Sequence, residues 1–239
     1  MKKYFNVNLQ FNHSKLEEIV KSTANNNKGY CCFVDMNSLA FSFKDESFRN
    51  ILNNSLTNFC DGSYIAMLAS YIHNNSFKQY TGPDFFKKHI YCENNHLIIG
   101  NTEDVFKKIK LKVAKRNSHA NNLSYLSIPF LDVNKFDYIE ISKQINHLNP
   151  DYIWISLGAP KQEIFMSMLL PHLKKGVLFG VGAAINYFSG EIRNIPDWIK
   201  KTHLIWLYRI YMEPKKQFKR LVLILRMFPK IIQQEKRKI

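Results

Sequence analysis

The feature that most constrains this chain is a rhythm. Short apolar runs at residues 29–34, 56–60, 96–99, 123–128, 152–157 and 176–181 are each closed by polar or glycine-containing turns. Helix-like segments lie between them, and that alternation predicts an α/β fold, a Rossmann-like parallel sheet flanked by helices. A polar-interrupted strand is also expected near the N-terminus. The first helix has a start signal in Ser14-Lys15-Leu16-Glu17, where a Ser cap and a Glu three residues on satisfy orphan amides reciprocally.

With 239 residues, 46% of them hydrophobic, the chain can bury a sizeable core in one domain, or in one domain plus an appendage. The formal charge of +15 is unevenly placed, because residues 193–239 hold 13 Lys or Arg against 3 Asp or Glu, a surplus of 10. Such a block implies an anionic partner: nucleic acid, an anionic bilayer or a phosphorylated substrate. Cys31, Cys32, Cys60 and Cys92 lack a C-x-x-C pair and read as reduced structural thiols. The N-terminal residues lack the apolar core of a signal peptide, and no run approaches the roughly 20 apolar residues of a spanning helix. A cytoplasmic protein is the expectation.

From about residue 197 the β-like alternation stops. Two regions are therefore expected, an α/β core over 1–194 and a basic helical appendage over 195–239. Phe218, Leu221, Val222, Leu225 and Phe228 recur at helical spacing among Lys215, Lys216, Lys219, Arg220 and Arg226, the pattern of an amphipathic basic helix. Pro229 is expected to kink or end it, and Lys236, Arg237 and Lys238 to fray.

Open parallel sheets bind ligands at the carboxyl ends of their strands, so the residues after each run are the candidates. They include Asp35 and Asn37, Asp61 and Gly62, Gly100 and Asn101, Phe130, Gly158 and Gln162, and Gly182 and Asn186. Asp61 reads either as a general base or as a cap on the helix that follows. Thr81-Gly82-Pro83-Asp84 reads as a turn into a helix, with Pro in the first turn and Asp near its positive end. Gly158-Ala-Pro-Lys-Gln-Glu163 offers free amides and the Gln162 side chain to an anion or a sugar hydroxyl, or is a plain helix start. Gly180-Val-Gly182 has Ile185 where a dinucleotide loop needs its third glycine, so no nicotinamide cofactor is expected. No Asp-x-Asp or His-Glu-x-x-His grouping occurs, so no metal site is expected. If a diphosphate leaves, fixed cations such as Arg209 and Arg220 must offset its charge.

Taken together, Asp61-Gly62, Thr81-Gly82-Pro83-Asp84, Gly158-Ala-Pro-Lys-Gln-Glu163, Gly180-Val-Gly-Ala-Ala184, Trp206-Leu-Tyr-Arg209 and Glu213-Pro214 resemble the WecG/TagA/CpsF glycosyltransferase family. The resemblance implies transfer, with inversion, of an N-acetylmannosamine-type sugar from UDP to N-acetylglucosamine on a polyprenyl diphosphate, in cell-surface polysaccharide synthesis. It implies Asp61 as catalytic base and Asn37 and Gln162 in the donor pocket, with Phe130 stacked on uracil. The implied partners are a UDP-sugar, the lipid-linked acceptor and an anionic membrane surface on the inner face of the plasma membrane. No cofactor and no nucleic acid are expected, and self-association is compatible.

Five positions depart from the family pattern. Asp35 stands where Thr is expected, Gln79 where Arg precedes Thr-Gly, Asn186 where Asp follows in the glycine-rich turn, Asn194 where Arg begins Arg-Ala-Pro, and Ile205 where Glu precedes Trp. Four of them, Asp35, Gln79, Asn186 and Asn194, lie near the expected pocket, which leaves room for a different UDP-hexose or for a non-catalytic basic protein.

Overall fold

The computed structural model describes residues 3–116, 119–192, 199, 202 and 205–238. The elements run in chain order as β1 (Leu9–Gln10), α1 (His13–Asn26), β2 (Lys28–Val34), α2 (Met36–Lys44), α3 (Glu46–Asn53), β3 (Thr57–Cys60), α4 (Ser63–His73), α5 (Gly82–His89), β4 (His96–Ile99), α6 (Glu103–Ala114), β5 (Leu123–Leu126), α7 (Tyr138–Leu148), β6 (Tyr152–Ile155), α8 (Lys161–Leu169), β7 (Gly176–Gly180), α9 (Ala184–Ser189), α10 (Ile205–Met212) and α11 (Pro214–Lys236). The strands form one seven-stranded sheet, parallel at every described pairing, in the order β1-β3-β2-β7-β6-β4-β5.

Strand side chains alternate between two apolar layers, as the two-residue period of a strand requires. On β6, Tyr152 and Trp154 face one layer with Phe85, Phe179 and α1, α5, α6 and α9. Ile153 and Ile155 face the other, with Phe48, Phe165 and helices including α2, α4, α7 and α8. Trp154, Phe85, Phe179 and Phe165 are fully buried, and each such side chain contributes roughly 1.5–3 kcal/mol. The central strands such as β6 and β7 are buried on both faces, the pattern of an α/β sheet rather than of a half-wet one.

Two local expectations change. The cap of α1 is Asn12, whose side chain accepts from Lys15 N, not Ser14. Glu17 faces α5 instead, within 2.7 Å of both Lys88 and His89, and it accepts from the Tyr80 hydroxyl at 2.5 Å. The second change concerns Pro229, which does not end the helix but lies inside α11. Proline removes the amide that would pair with the Leu225 carbonyl, but Leu225 and Pro229 both lie on the solvent side, where water satisfies that carbonyl. Helical structure then continues to Lys236, so the fraying expected at Lys236 does not occur there.

The reason α11 persists is tertiary. Its other face carries Met227 and Ile231, both buried, with Leu223 and Ile224 against the same core cluster, and the helix lies along α2. Glu235 is fully buried and accepts from Phe5 N at 2.6 Å, with His73 Nε2 at 2.9 Å and Lys238 Nζ at 2.7 Å. The boundary expected at 194/195 falls outside the described residues.

The Glu17 cluster makes stability pH-dependent. Burial opposes the Glu17 charge, but hydrogen bonds from His89, Lys88 and Tyr80 outweigh it and bring the carboxyl from 4.5 to about 2. Burial likewise opposes the charge on His89, and its contacts with Cys92 and Glu17 raise it above 6.5 nonetheless. A lowered carboxyl stabilises above its unfolded value and a raised imidazole below its own. The Glu17 contribution is therefore expected to fade as pH falls from 4.5 toward 2, and the His89 contribution as pH rises past 6.5. Urea midpoints of wild type and Glu17→Gln across pH 3–8.5 check this. Their difference should be greatest between about pH 4.5 and 6.5, and a flat difference would refute the coupling.

Candidate active site at the carboxyl edge

The chain reverses direction between β4 and β6, because β4 leads outward to β5 while β6 leads back to β7. Such a divergence opens a crevice at the carboxyl ends of the strands. The helices α2, α4, α6, α8 and α9 begin from that same edge, so their N-terminal amides and partial positive charge face it.

A hydrogen-bonded rail runs along this edge. Tyr125 OH donates to Asn101 O at 3.0 Å, Asn101 Nδ2 to Ser156 Oγ at 2.8 Å, and Ser156 Oγ to Gly182 O at 2.9 Å, which ties the ends of β5, β4, β6 and β7 together. Gly100 is required here: at φ +85° a side chain is strained, and its β-carbon would stand 2.8 Å from Ser156 O. Ser156 and Tyr125 were not among the expected site residues. The runs at 123–128 and 152–157 are apolar enough to read as continuous strands, yet β5 ends at Leu126 and β6 at Ile155, which frees Ser156 to turn across the edge.

Beside the rail, Gln162 is buried at the start of α8. Its Nε2 donates to Gly180 O at 2.7 Å and to Glu163 Oε1 at 3.0 Å, and its Oε1 accepts from Gly158 N at 3.2 Å. Asn186 on α9 is half-buried, and its Oδ1 is buried with no hydrogen-bond partner among the described residues.

On the other side of β7, β2 ends at Asp35, whose Oδ1 caps α2 by accepting from Ser38 N at 2.8 Å, with Asn37 half-buried in the first turn. Next to it, β3 ends at Asp61. This residue does not cap α4, whose cap position is Gly62 and carries no side-chain bond. Its Oδ1 instead accepts from Gly82 N at 2.7 Å, at the start of α5. Gly62 holds the two turns close, since a β-carbon on it would lie 3.4 Å from Asp35 Cα and from Met36 N. The Thr81 turn forms as expected: its side chain caps α5 and bonds to Asp84, with Pro83 in the first turn.

The remaining candidates lie further out. Phe130 is wholly exposed, with Lys161 Nζ 4.9 Å above its ring. Arg220 is half-buried on α11, and the side chain of Arg209 on α10 lies outside the described residues, as does Asn194. Gln79 is exposed, and the Ile205 side chain is outside the described residues. The edge thus gathers Gly100, Asn101, Gly158, Gln162 and Gly182 across β4, β6 and β7, and Asp35, Asn37 and Asp61 across β2 and β3. Cys31, Cys32, Cys60 and Cys92 are free thiols.

Fold and edge define the class: a doubly wound α/β protein whose carboxyl edge, at the reversal between β4 and β6, is lined by helix N-termini and flanked by the Asp61 side chain. The chain belongs to the glycosyl transferase WecG/TagA/CpsF family, whose sequence profile matches residues 5–239, and it is a glycosyltransferase of that family. It is 28% identical over 205 residues, 84% of this chain and 78% of the relative, to the N-acetylglucosaminyldiphosphoundecaprenol N-acetyl-beta-D-mannosaminyltransferase of Bacillus subtilis strain 168. Proteins of the same name match over shorter stretches. That of Bacillus spizizenii strain W23 is 30% identical over 34% of this chain and 31% of its own length. That of Staphylococcus aureus strain MW2 is 32% identical over 32% and 30%. Among the described residues no helix is long and apolar enough to cross a membrane, and no three His, Cys, Asp or Glu side chains group as metal ligands.

Proposed function

We propose that this glycosyltransferase moves N-acetylmannosamine, or its uronic acid, from UDP to N-acetylglucosamine carried on a polyprenyl diphosphate, with inversion at the anomeric carbon. The observation that carries the reading is Asp61, oriented by the Gly82 amide at the end of β3, on the same edge as the crevice at β4, β6 and β7. The relatives' names support the transferred sugar and the lipid-linked acceptor.

In this mechanism the acceptor hydroxyl attacks the anomeric carbon from the face opposite UDP. Asp61 takes the hydroxyl proton as the new C–O bond forms, and the bond to UDP breaks with its electron pair leaving on the diphosphate. Amides at the helix N-termini, with Arg209 and Arg220 from the last two helices, offset the charge that develops there. The donor is held by Asp35, Asn37, Gly100, Asn101, Gly158, Gln162, Gly182 and Asn186, with Phe130 against uracil. Gln162 acts from beneath the surface, because it is buried. No Asp-x-Asp pair is available to hold a divalent ion for the diphosphate, so turnover should not require one.

UDP release from a panel of UDP-sugars, with a short-chain lipid-diphosphate N-acetylglucosamine acceptor and with or without EDTA, tests all of this. Acceptor-dependent, EDTA-resistant turnover with the N-acetylmannosamine donor is expected. Turnover only with UDP-glucose or UDP-galactose would overturn the donor assignment.

The same reading puts the chain at a membrane surface. Opposite its docked face, α11 exposes Phe218, Val222, Leu225 and Phe228, and the exposed Lys215, Lys219, Arg226 and Lys230 flank that stripe. Basic residues near an anionic leaflet contribute about 1 kcal/mol each, added to burial of the stripe. Changing Phe218, Val222 and Leu225 together to Ser should cut partition into anionic liposomes at least tenfold without moving the thermal midpoint, since none of the three is buried. Equal partition of variant and wild type would remove the stripe from membrane contact.

A further inference from the structure

Gly180, which ends β7, and Gly182, just after it, border the Gln162 side chain. A β-carbon at Gly180 would stand 3.0 Å from Gln162 Nε2 and 2.9 Å from Met166 Cε, and one at Gly182 would stand 3.3 Å from Gln162 Oε1. Their lack of side chains makes room for the Gln162 amide. That amide has both its hydrogens and its oxygen committed inside the protein, to Gly180 O, Glu163 Oε1 and Gly158 N. Glu163 is 1% exposed, so it has no path to a substrate.

We infer that Gln162 and Glu163 form a clasp that sets the separation of the Gly158 and Gly180–Gly182 loops, and that Glu163 is a positioning residue for the donor pocket through its acceptor oxygen. The consequence for the donor rests on the function proposed above; the clasp itself does not. The bond geometry carries the argument. Gln162 Nε2 needs two acceptors and has two, one on β7 and one on its own helix, while its oxygen reaches back to the turn after β6. Removing Glu163 Oε1 leaves one buried amide hydrogen without a partner, and a side chain in that state is free to turn away from both loops. Burial pushes the Glu163 carboxyl up to about 7, against the pull of the Gln162 hydrogen bond. A neutral side chain with a carbonyl oxygen is therefore a sound substitute at this position.

The experiment compares wild type, Glu163→Leu, Glu163→Gln and Gln162→Met. Hydrogen exchange is read on peptides covering Gly158 and Gly182, with UDP affinity and the KM and kcat for the donor measured alongside. Glu163→Leu and Gln162→Met should speed exchange in those two loops by about fivefold to tenfold. They should also raise the Kd for UDP and the donor KM by about tenfold, with a smaller change in kcat. Glu163→Gln should restore both properties. Unchanged exchange in the two loops overturns the clasp, and so does faster exchange spread evenly over the sheet. If Gln162→Met weakens UDP while Glu163→Leu leaves affinity and exchange untouched, Gln162 acts as a direct ligand and the inference fails. A wild type that binds no UDP refutes the proposed donor instead, and the exchange measurement still decides the clasp.

Discussion

Replacing Asp61 with asparagine is expected to lower turnover by about two to four orders of magnitude, the range a positioned general base supplies. Asparagine keeps the shape of the residue and an oxygen able to accept the Gly82 amide, the bond that holds the native side chain at 2.7 Å. The turn into α5 should survive, and with it the thermal midpoint and the affinity for UDP. What asparagine lacks is a basic oxygen to take the acceptor's proton. Asp61→Ala is the less informative change, because it strips the Gly82 amide of its partner as well and adds a structural loss of about 1–3 kcal/mol. Normal turnover in the asparagine variant would remove Asp61 from the base role and return it to organising α5.

The second large effect is structural. Glu235→Ala is expected to lower the free energy of unfolding by about 3 kcal/mol, read from urea midpoints at constant m value. The fully buried side chain meets the Phe5 amide, His73 Nε2 and Lys238 Nζ, so its removal strands a buried N–H and a part-buried ring nitrogen together. Glu235→Gln keeps an acceptor for Phe5 but loses the ion pair with Lys238, and should fall between. The damage should reach the N-terminal segment too, because Tyr4 packs edge-on against His73 and Phe77 around the same point. Phe218, Val222 and Leu225 are exposed and lie at least ten residues from Glu235, so mutations there and at Glu235 should act separately. A shift no larger than a surface substitution produces, about 0.5 kcal/mol, would show that α11 does not depend on its C-terminal anchor.

Among the elements, the strands were the most legible part of the chain. Runs such as 96–99 and 176–181 are apolar on both faces, and a parallel sheet covered on both sides buries both. The Thr81 turn was equally readable, since capping and Pro placement depend on residues three apart. Asn12 was missed because Ser14 with Glu17 three residues on also fits a capping box, whereas in the fold Glu17 pairs with Lys88 and His89 on α5 rather than with the Ser14 amide. The exposed stripe of α11 was visible in the helical spacing of Phe218, Val222 and Leu225, but the docked residues Leu223, Met227 and Ile231 also recur at helical spacing. Periodicity alone does not say which face meets the core.

At the site, the rule that ligands collect after parallel strands pointed to Asp61, Gly100, Gly158 and Gly182 without any coordinates. It passed over Ser156, hidden by an apolar run that continues through Leu157, and it gave no sign that Gln162 faces inward. The sequence by itself determined what depends on neighbours a few positions apart: the alternation of strand and helix, the helix starts, the glycine turns and the basic character of the tail. The tertiary structure alone decided the order of the strands and the reversal between β4 and β6. It alone decided the partners of buried polar groups as well: Gln162 meets Gly180 across 18 residues and Glu235 meets Phe5 across 230. The reason is physical. A buried polar atom must find a partner wherever packing brings one, and that choice is made by the whole fold rather than by the residues beside it.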